Sequence, residues 1–110
     1  MKIEPISRDY GISGQIAEGD VRVVAQAGYK SVVCIRPDNE SAGQPRFDDI
    51  ARTANQFGMK AVYIPVASSA SNSQLRQFNE ICQSLPKPVL GYCNTGARAL
   101  GIYNSTHGRA

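Results

Sequence analysis

Tryptophan is absent from this chain of 110 residues, histidine occurs once and cysteine three times. The one histidine, His107, excludes a Ser-His-Asp triad or a metal centre built on several imidazoles, so no metal and no cofactor are expected. Cys34, Cys82 and Cys93 make no C-x-x-C pair and leave an odd thiol, which argues against a disulfide framework or a zinc ribbon. Free thiols in a reducing cytoplasm are the expectation. No apolar stretch approaches the roughly eighteen residues that a membrane helix requires, and Met1–Pro5 has no signal-like apolar segment. A strong charge bias is also missing. The net charge is +3, with Lys and Arg scattered, so neither nucleic acid nor a membrane surface is an expected partner. The glycines form no dinucleotide-binding fingerprint.

What is present suits a globular domain: 42% hydrophobic and 19% charged residues. The length corresponds to one domain over residues 1–110, able to bury roughly two thirds of its unfolded surface. Lys2–Ile6 and Tyr10–Gln15 read as short strands around a turn at Ser7-Arg8-Asp9. Ala17–Ala27 reads as a helix that stops at Gly28, and Lys30–Ile35 as a strand buried on both faces. After a turn-rich loop, Arg36–Gln44, Pro45 is expected at the first helical position. Phe47, Ile50, Ala51, Ala54 and Phe57 then make one apolar face. Lys60–Val66 is a further strand. A serine-rich loop, Ala67–Ser71, precedes a helix whose face carries Leu75, Phe78, Ile81, Cys82 and Leu85, with Ser71 or Ser73 as its cap. Pro86-Lys87-Pro88 breaks that helix and starts a last strand through Tyr92. The alternation predicts an α/β fold with a mostly parallel central sheet flanked by helices.

In such sheets ligands bind beyond the carboxyl ends of the strands. There the chain carries Cys93-Asn94-Thr95-Gly96-Ala97-Arg98, between the last strand and the last helix. A cysteine so placed faces unpaired N–H groups, whose positive field favours thiolate over thiol. Arg98 adds a planar, permanently charged fork. A nucleophile, an anion cradle formed by Asn94, Thr95, Gly96 and Ala97, and a guanidinium fall within one short segment. The pattern points to a thiolate enzyme acting on an anion; the competing reading makes Cys93 a small core residue. Arg36 and Asp38, and Ser68 and Ser69, end up beside the same pocket, because they follow two other strands. Arg36 and Asp38 are equally readable as a structural turn pair.

Cys-x-x-Gly-x-Arg after a strand resembles the active-site loop of rhodanese-type sulfurtransferases, while the order of elements resembles a dual-specificity phosphatase. The chain resembles a bacterial family that combines the two: the phosphatase-like domain of the beta-lactamase-hydrolase-like proteins, also described as rhodanese-like sulfurtransferases. The resemblance rests on Ser13-Gly14-Gln15-Ile16, Arg36-Pro37-Asp38-Asn39-Glu40, Gly43-Gln44-Pro45, Ile64-Pro65-Val66 and the Cys93–Arg98 loop, in that order. Tyr92 departs from it, since many members have His there, and so does the short stretch after the last helix.

The resemblance implies catalysis by Cys93 with Arg98 as anion holder. Its main implication is a sulfurtransferase that takes sulfane sulfur from a small anionic donor such as thiosulfate. A Cys93 persulfide would pass that sulfur to a thiol, cyanide or protein acceptor, with a sulfur dioxygenase as a further partner. Four residues separate Cys93 from Arg98, against five in related phosphatases, and Ala67–Ser71 lacks the aspartate that would serve as general acid. Those two features favour sulfur over phosphate. The alternatives are a cysteine-dependent phosphatase working through a Cys93 phosphocysteine, and a non-catalytic domain that binds anions or senses oxidants through a thiol.

Overall fold

Ser31-Val32-Val33-Cys34 is apolar on alternate sides and packs helices on both. Val32 and Cys34 join Val24, Ile50, Ala54, Leu90 and Tyr92 in one core, while Val33 packs with Phe78, Ala99 and Ile102 in the other. The computed structural model of the chain describes residues 1–107. Its elements are β1 (Glu4–Pro5), β2 (Tyr10–Ser13), a 3₁₀ turn (Glu18–Asp20), α1 (Val21–Gln26), β3 (Ser31–Cys34), α2 (Phe47–Gln56), β4 (Lys60–Tyr63), α3 (Asn72–Ser84), β5 (Val89–Tyr92) and α4 (Ala97–Thr106).

The sheet order is β1-β2-β5-β3-β4. β2, β5, β3 and β4 run parallel, and β1 is an antiparallel edge of two residues. The α/β architecture with a mostly parallel sheet is thus present as expected. α1 and α2 cover one face; α3 and α4 cover the other.

Three boundaries differ from those expected. α2 starts at Phe47 rather than Pro45, because Asp38 Oδ1, from the preceding loop, accepts the Phe47 N–H at 2.9 Å and caps the helix there. The expected helix 17–27 enters through the 3₁₀ turn, where Asp20 Oδ2 accepts the Ala17 N–H at 2.9 Å. β4 ends at Tyr63, although the Ile64 and Val66 N–H groups still bond to Cys34 and Ile35 carbonyls across Pro65, which has no N–H to give. At α3 the choice between caps is resolved: Ser71 Oγ accepts the Gln74 N–H at 3.2 Å, and Gln74 Oε1 accepts the Ser71 N–H at 3.0 Å.

Tyr10 ties the edge of the sheet to the last helix. Its ring crosses below Gly91, where any Cβ would collide with the phenol. The hydroxyl donates to the Ala99 carbonyl in the first turn of α4 at 3.1 Å. A glycine in the middle of a buried strand is thereby explained by the close approach of a ring. Among the described residues no helix is long and apolar enough to cross a membrane.

Candidate active site

β5 ends at Tyr92 with its side chain on the α1/α2 face, so the next residue, Cys93, falls on the α3/α4 face, from which α4 begins. The loop then has to turn up into the helix within Asn94, Thr95 and Gly96. Gly96 does this with φ at 101°, a left-handed conformation that a side chain would strain. Its N–H turns back and donates to Cys93 Sγ at 3.1 Å. The loop is supported from below by the end of β2. Cys93 N–H reaches the Ser13 carbonyl at 3.4 Å, and Gln15 N–H reaches the Asn94 carbonyl at 3.2 Å. Gly14 permits that approach, since a Cβ there would lie 2.8 Å from the Asn94 oxygen.

Within α4 the Leu100 N–H bonds to the Gly96 carbonyl. The N–H groups of the first turn before it have no acceptor four residues back and leave a positive helix end at the loop. Cys93 has no exposed surface; Asn94, Thr95 and Ala97 form the outer rim.

Arg98 is where three loops meet. Its Nη1 donates to Glu40 Oε2 at 2.7 Å and to the Val66 carbonyl at 2.8 Å, and its Nη2 donates to Glu40 Oε1 at 2.9 Å. Glu40 Oε1 also accepts from Arg36 Nε at 3.0 Å. Arg36 is buried, and its Nη1 and Nη2 donate to Gln15 Oε1 and Ser41 Oγ, both at 3.1 Å. The Arg98 guanidinium hydrogen bonds, and after them the Arg36 bonds, hold the Glu40 carboxyl down to about 2. Conversely, the Arg98 guanidinium is held above its ordinary value, first by Glu40 and to a lesser degree by the nearby Cys93 sulfur.

Of the five N–H donors on a guanidinium, the end-on pair and the inner Nη1–H are therefore occupied. Among the described residues no protein oxygen takes the side-on edge, Nε–H and the second Nη2–H. Two guanidinium groups against one carboxylate keep the cluster cationic.

The structure brings Cys93, Asn94, Thr95, Gly96, Ala97 and Arg98 together and joins Arg36 to them through Glu40. Ser68 and Ser69 line a cavity of about 320 Å³ beside Arg98, with Val66, Ala70, Leu75 and Ile102. Asp38 is not brought to the loop: its carboxylate caps α2, and its N–H donates to the Tyr63 hydroxyl at 2.9 Å. Cys34 packs on the opposite face of the sheet from Cys93, its thiol donating to the Arg36 carbonyl at 3.2 Å, and burial pushes it up to about 11. A larger cavity, about 390 Å³, lies at the other end of the sheet between Tyr10, Lys87 and Tyr103 and holds none of these groups.

Glu40 and Gln15 were not assigned roles from the sequence. Both lie inside the segments that carry the family resemblance, but their partners lie far away along the chain.

The model of a family described as "Beta-lactamase hydrolase-like protein, phosphatase-like domain" matches residues 3–109. A beta-lactamase hydrolase-like protein of Xylella fastidiosa (strain Temecula1 / ATCC 700964) is 32% identical over 104 residues, covering 94% of this chain and 24% of the relative. The chain thus spans about a quarter of the length of the curated relatives it matches. The crystal structure of a candidate phosphatase from Neisseria meningitidis Z2491 superposes with a TM-score of 0.86 at 31% identity, covering 94% of this chain and 75% of that one. A candidate phosphatase from Shewanella putrefaciens CN-32 gives 0.82 at 25%, covering 96% and 66%. Solved structures of lower identity, among them a kinase associated phosphatase, share the fold.

The fold is therefore that of the dual-specificity and tyrosine phosphatases. This corrects the expectation of a rhodanese-like sulfurtransferase. The persulfide route, the thiosulfate-like donor, the thiol, cyanide or protein acceptor and the sulfur dioxygenase partner all fall with it. The four-residue spacing had pointed to sulfur, but spacing describes only the loop. The scaffold that carries the loop is of the phosphatase type.

Proposed function

Since the chain belongs to the family of the beta-lactamase hydrolase-like protein, phosphatase-like domain, we propose that it is a cysteine-dependent phosphatase with Cys93 as nucleophile and Arg98 as anion holder. The observation that carries this reading is the free side-on edge of Arg98. Glu40 and the Val66 carbonyl fix the guanidinium from behind, so that two parallel donors remain for two oxygens of a phosphoryl group. Arg36 takes part indirectly by holding Glu40.

The Gly96 N–H holds Cys93 Sγ in place at the amino end of α4. Cys93 Sγ attacks phosphorus and the ester P–O bond breaks, leaving a phosphocysteine. Backbone N–H groups of the Asn94–Ala97 loop other than that of Gly96, with Arg98, bind the non-bridging oxygens and stabilise the charge that grows on them. Water then attacks phosphorus, the S–P electron pair returns to sulfur, and inorganic phosphate leaves.

The experiment is phosphate release from p-nitrophenyl phosphate by the parent and by Cys93→Ser. Release by the parent that disappears in the variant supports the reading. Equal release by both, or none by either, contradicts it.

A further inference from the structure

The anion cradle is assembled from two pieces that the chain mounts separately. The loop amides hang between β5 and α4, whereas the Arg98 guanidinium is anchored to Glu40 and the Val66 carbonyl, on the loops that follow β3 and β4. A phosphoryl group in transit is held only where the two pieces agree in position, and a misfit of about 1 Å costs on the order of 10²-fold in rate. Gln15 bonds to both.

Its backbone sets the loop. Gln15 N–H donates to the Asn94 carbonyl at 3.2 Å. In a planar trans peptide the C=O and N–H point in opposite directions. Drawing the Asn94 oxygen toward the end of β2 therefore turns the Thr95 N–H away from β2, and among the described residues that N–H has no acceptor. The approach depends on Gly14, whose missing side chain leaves room for the same oxygen.

Its side chain sets the guanidinium. Nε2 donates to the Ile16 carbonyl at 2.7 Å, while Oε1 faces Arg36 and accepts its Nη1–H at 3.1 Å. Arg36 passes that constraint on: its Nε–H donates to Glu40 Oε1 at 3.0 Å, and Glu40 grips Arg98 at 2.7 and 2.9 Å. An amide suits this position better than an acid. It is a neutral acceptor that fixes Arg36 without a second negative charge, and a carboxylate would face the Ile16 carbonyl with no proton to give.

We propose that Gln15 is a positioning residue for phosphoryl transfer, one half-buried residue that fixes the loop amides and the Arg98 fork relative to each other. The proposal rests on the phosphatase reading and adds to it what holds the cradle in transition-state geometry. Gln15 touches no reacting atom. It acts through Asn94 on one side and through Arg36 and Glu40 on the other.

The test uses two variants. Gln15→Met keeps the length of the side chain and removes its acceptor. Gly14→Ala places a Cβ 2.8 Å from the Asn94 oxygen and pushes the loop off the Gln15 N–H. Both are read by kcat and KM on p-nitrophenyl phosphate, and by inhibition with orthovanadate, a trigonal-bipyramidal mimic of the transition state, and with inorganic phosphate. Each variant should lose about 10–10²-fold in kcat, with vanadate affinity falling in step. KM and phosphate inhibition should move by less than about threefold, as expected when an interaction made only in the transition state is lost. Vanadate titrates only folded sites, so a variant that merely folds poorly loses rate and keeps its vanadate affinity. Combined with Glu40→Gln, Gln15→Met should cost less than it does in the parent, because its route to Arg98 is already loosened, whereas Gly14→Ala should cost the same in both backgrounds.

Unchanged vanadate affinity in either variant, or full additivity of Gln15→Met with Glu40→Gln, would overturn the proposal and leave the phosphatase reading intact. Absence of Cys93-dependent phosphate release by the parent would overturn the phosphatase reading itself.

Discussion

Arg98→Lys keeps the charge and removes the fork, and the structure sets how much that should matter. A lysine ammonium carries three donors and no planar edge. The acceptors already waiting behind Arg98 are two Glu40 oxygens and the Val66 carbonyl, at 2.7, 2.9 and 2.8 Å in the parent. Those acceptors can take every donor that lysine has, so none is left for a phosphoryl oxygen. The variant should then behave almost like Arg98→Ala, with kcat on p-nitrophenyl phosphate down about 10²–10³-fold, or about 2.7–4 kcal/mol of transition-state stabilisation. Stability should change little, because Glu40 keeps its bond from Arg36. The assay is steady-state nitrophenol release, with urea unfolding to show that the fold is retained. Activity within about threefold of the parent would refute the assignment of the side-on edge to the ligand.

Gly91→Ala should drive the Tyr10 ring from its place and break its hold on the Ala99 carbonyl, lowering stability by about 1–3 kcal/mol in urea unfolding. Glu40→Gln tests the buttress by pH. The folded carboxyl is depressed from an ordinary 4.5 to about 2, so its stabilising contribution is complete above the ordinary value and is lost as pH falls toward about 2. The urea midpoint of the variant should therefore decline less steeply than the parent's across that window. Cys34 and Cys82 are both pushed up to about 11 by burial. Brief treatment of the native protein with iodoacetamide at neutral pH should leave both unmodified by peptide mass spectrometry, and denaturant should expose them.

Much of this fold was legible because its signals are local. The succession of apolar strands and amphipathic helices announced the α/β sheet, and two serines, Ser71 and Ser73, marked the start of α3, of which Ser71 is the cap. The Cys93–Arg98 segment was conspicuous as a strand end running into a helix. What stayed hidden depends on contacts between distant parts of the chain. Glu40 and Arg98 are 58 residues apart, and nothing in Asn39-Glu40-Ser41 announces a partner. Tyr10 and Ala99 are 89 apart, and only the interior glycine Gly91 hinted that something large must pass. Asp38 read as a pocket residue because it follows a strand, yet a carboxylate is also the natural acceptor for an orphan helix N–H, and α2 claims it. Tyr92, the residue before the cysteine, is buried on the α1/α2 face because strand side chains alternate. The choice of sulfur over phosphorus failed for a related reason: it was drawn from loop spacing and a missing acid, whereas the sheet order and the family match set the class.

The central claim is that Cys93 carries the phosphoryl group. Rapid acid quench of the protein with p-nitrophenyl phosphate, followed by peptide mapping, tests it most directly. The account predicts one phosphoryl group on the Cys93 peptide during turnover, absent in Cys93→Ser. Turnover with an unmodified Cys93, or persisting in the serine variant, would contradict it.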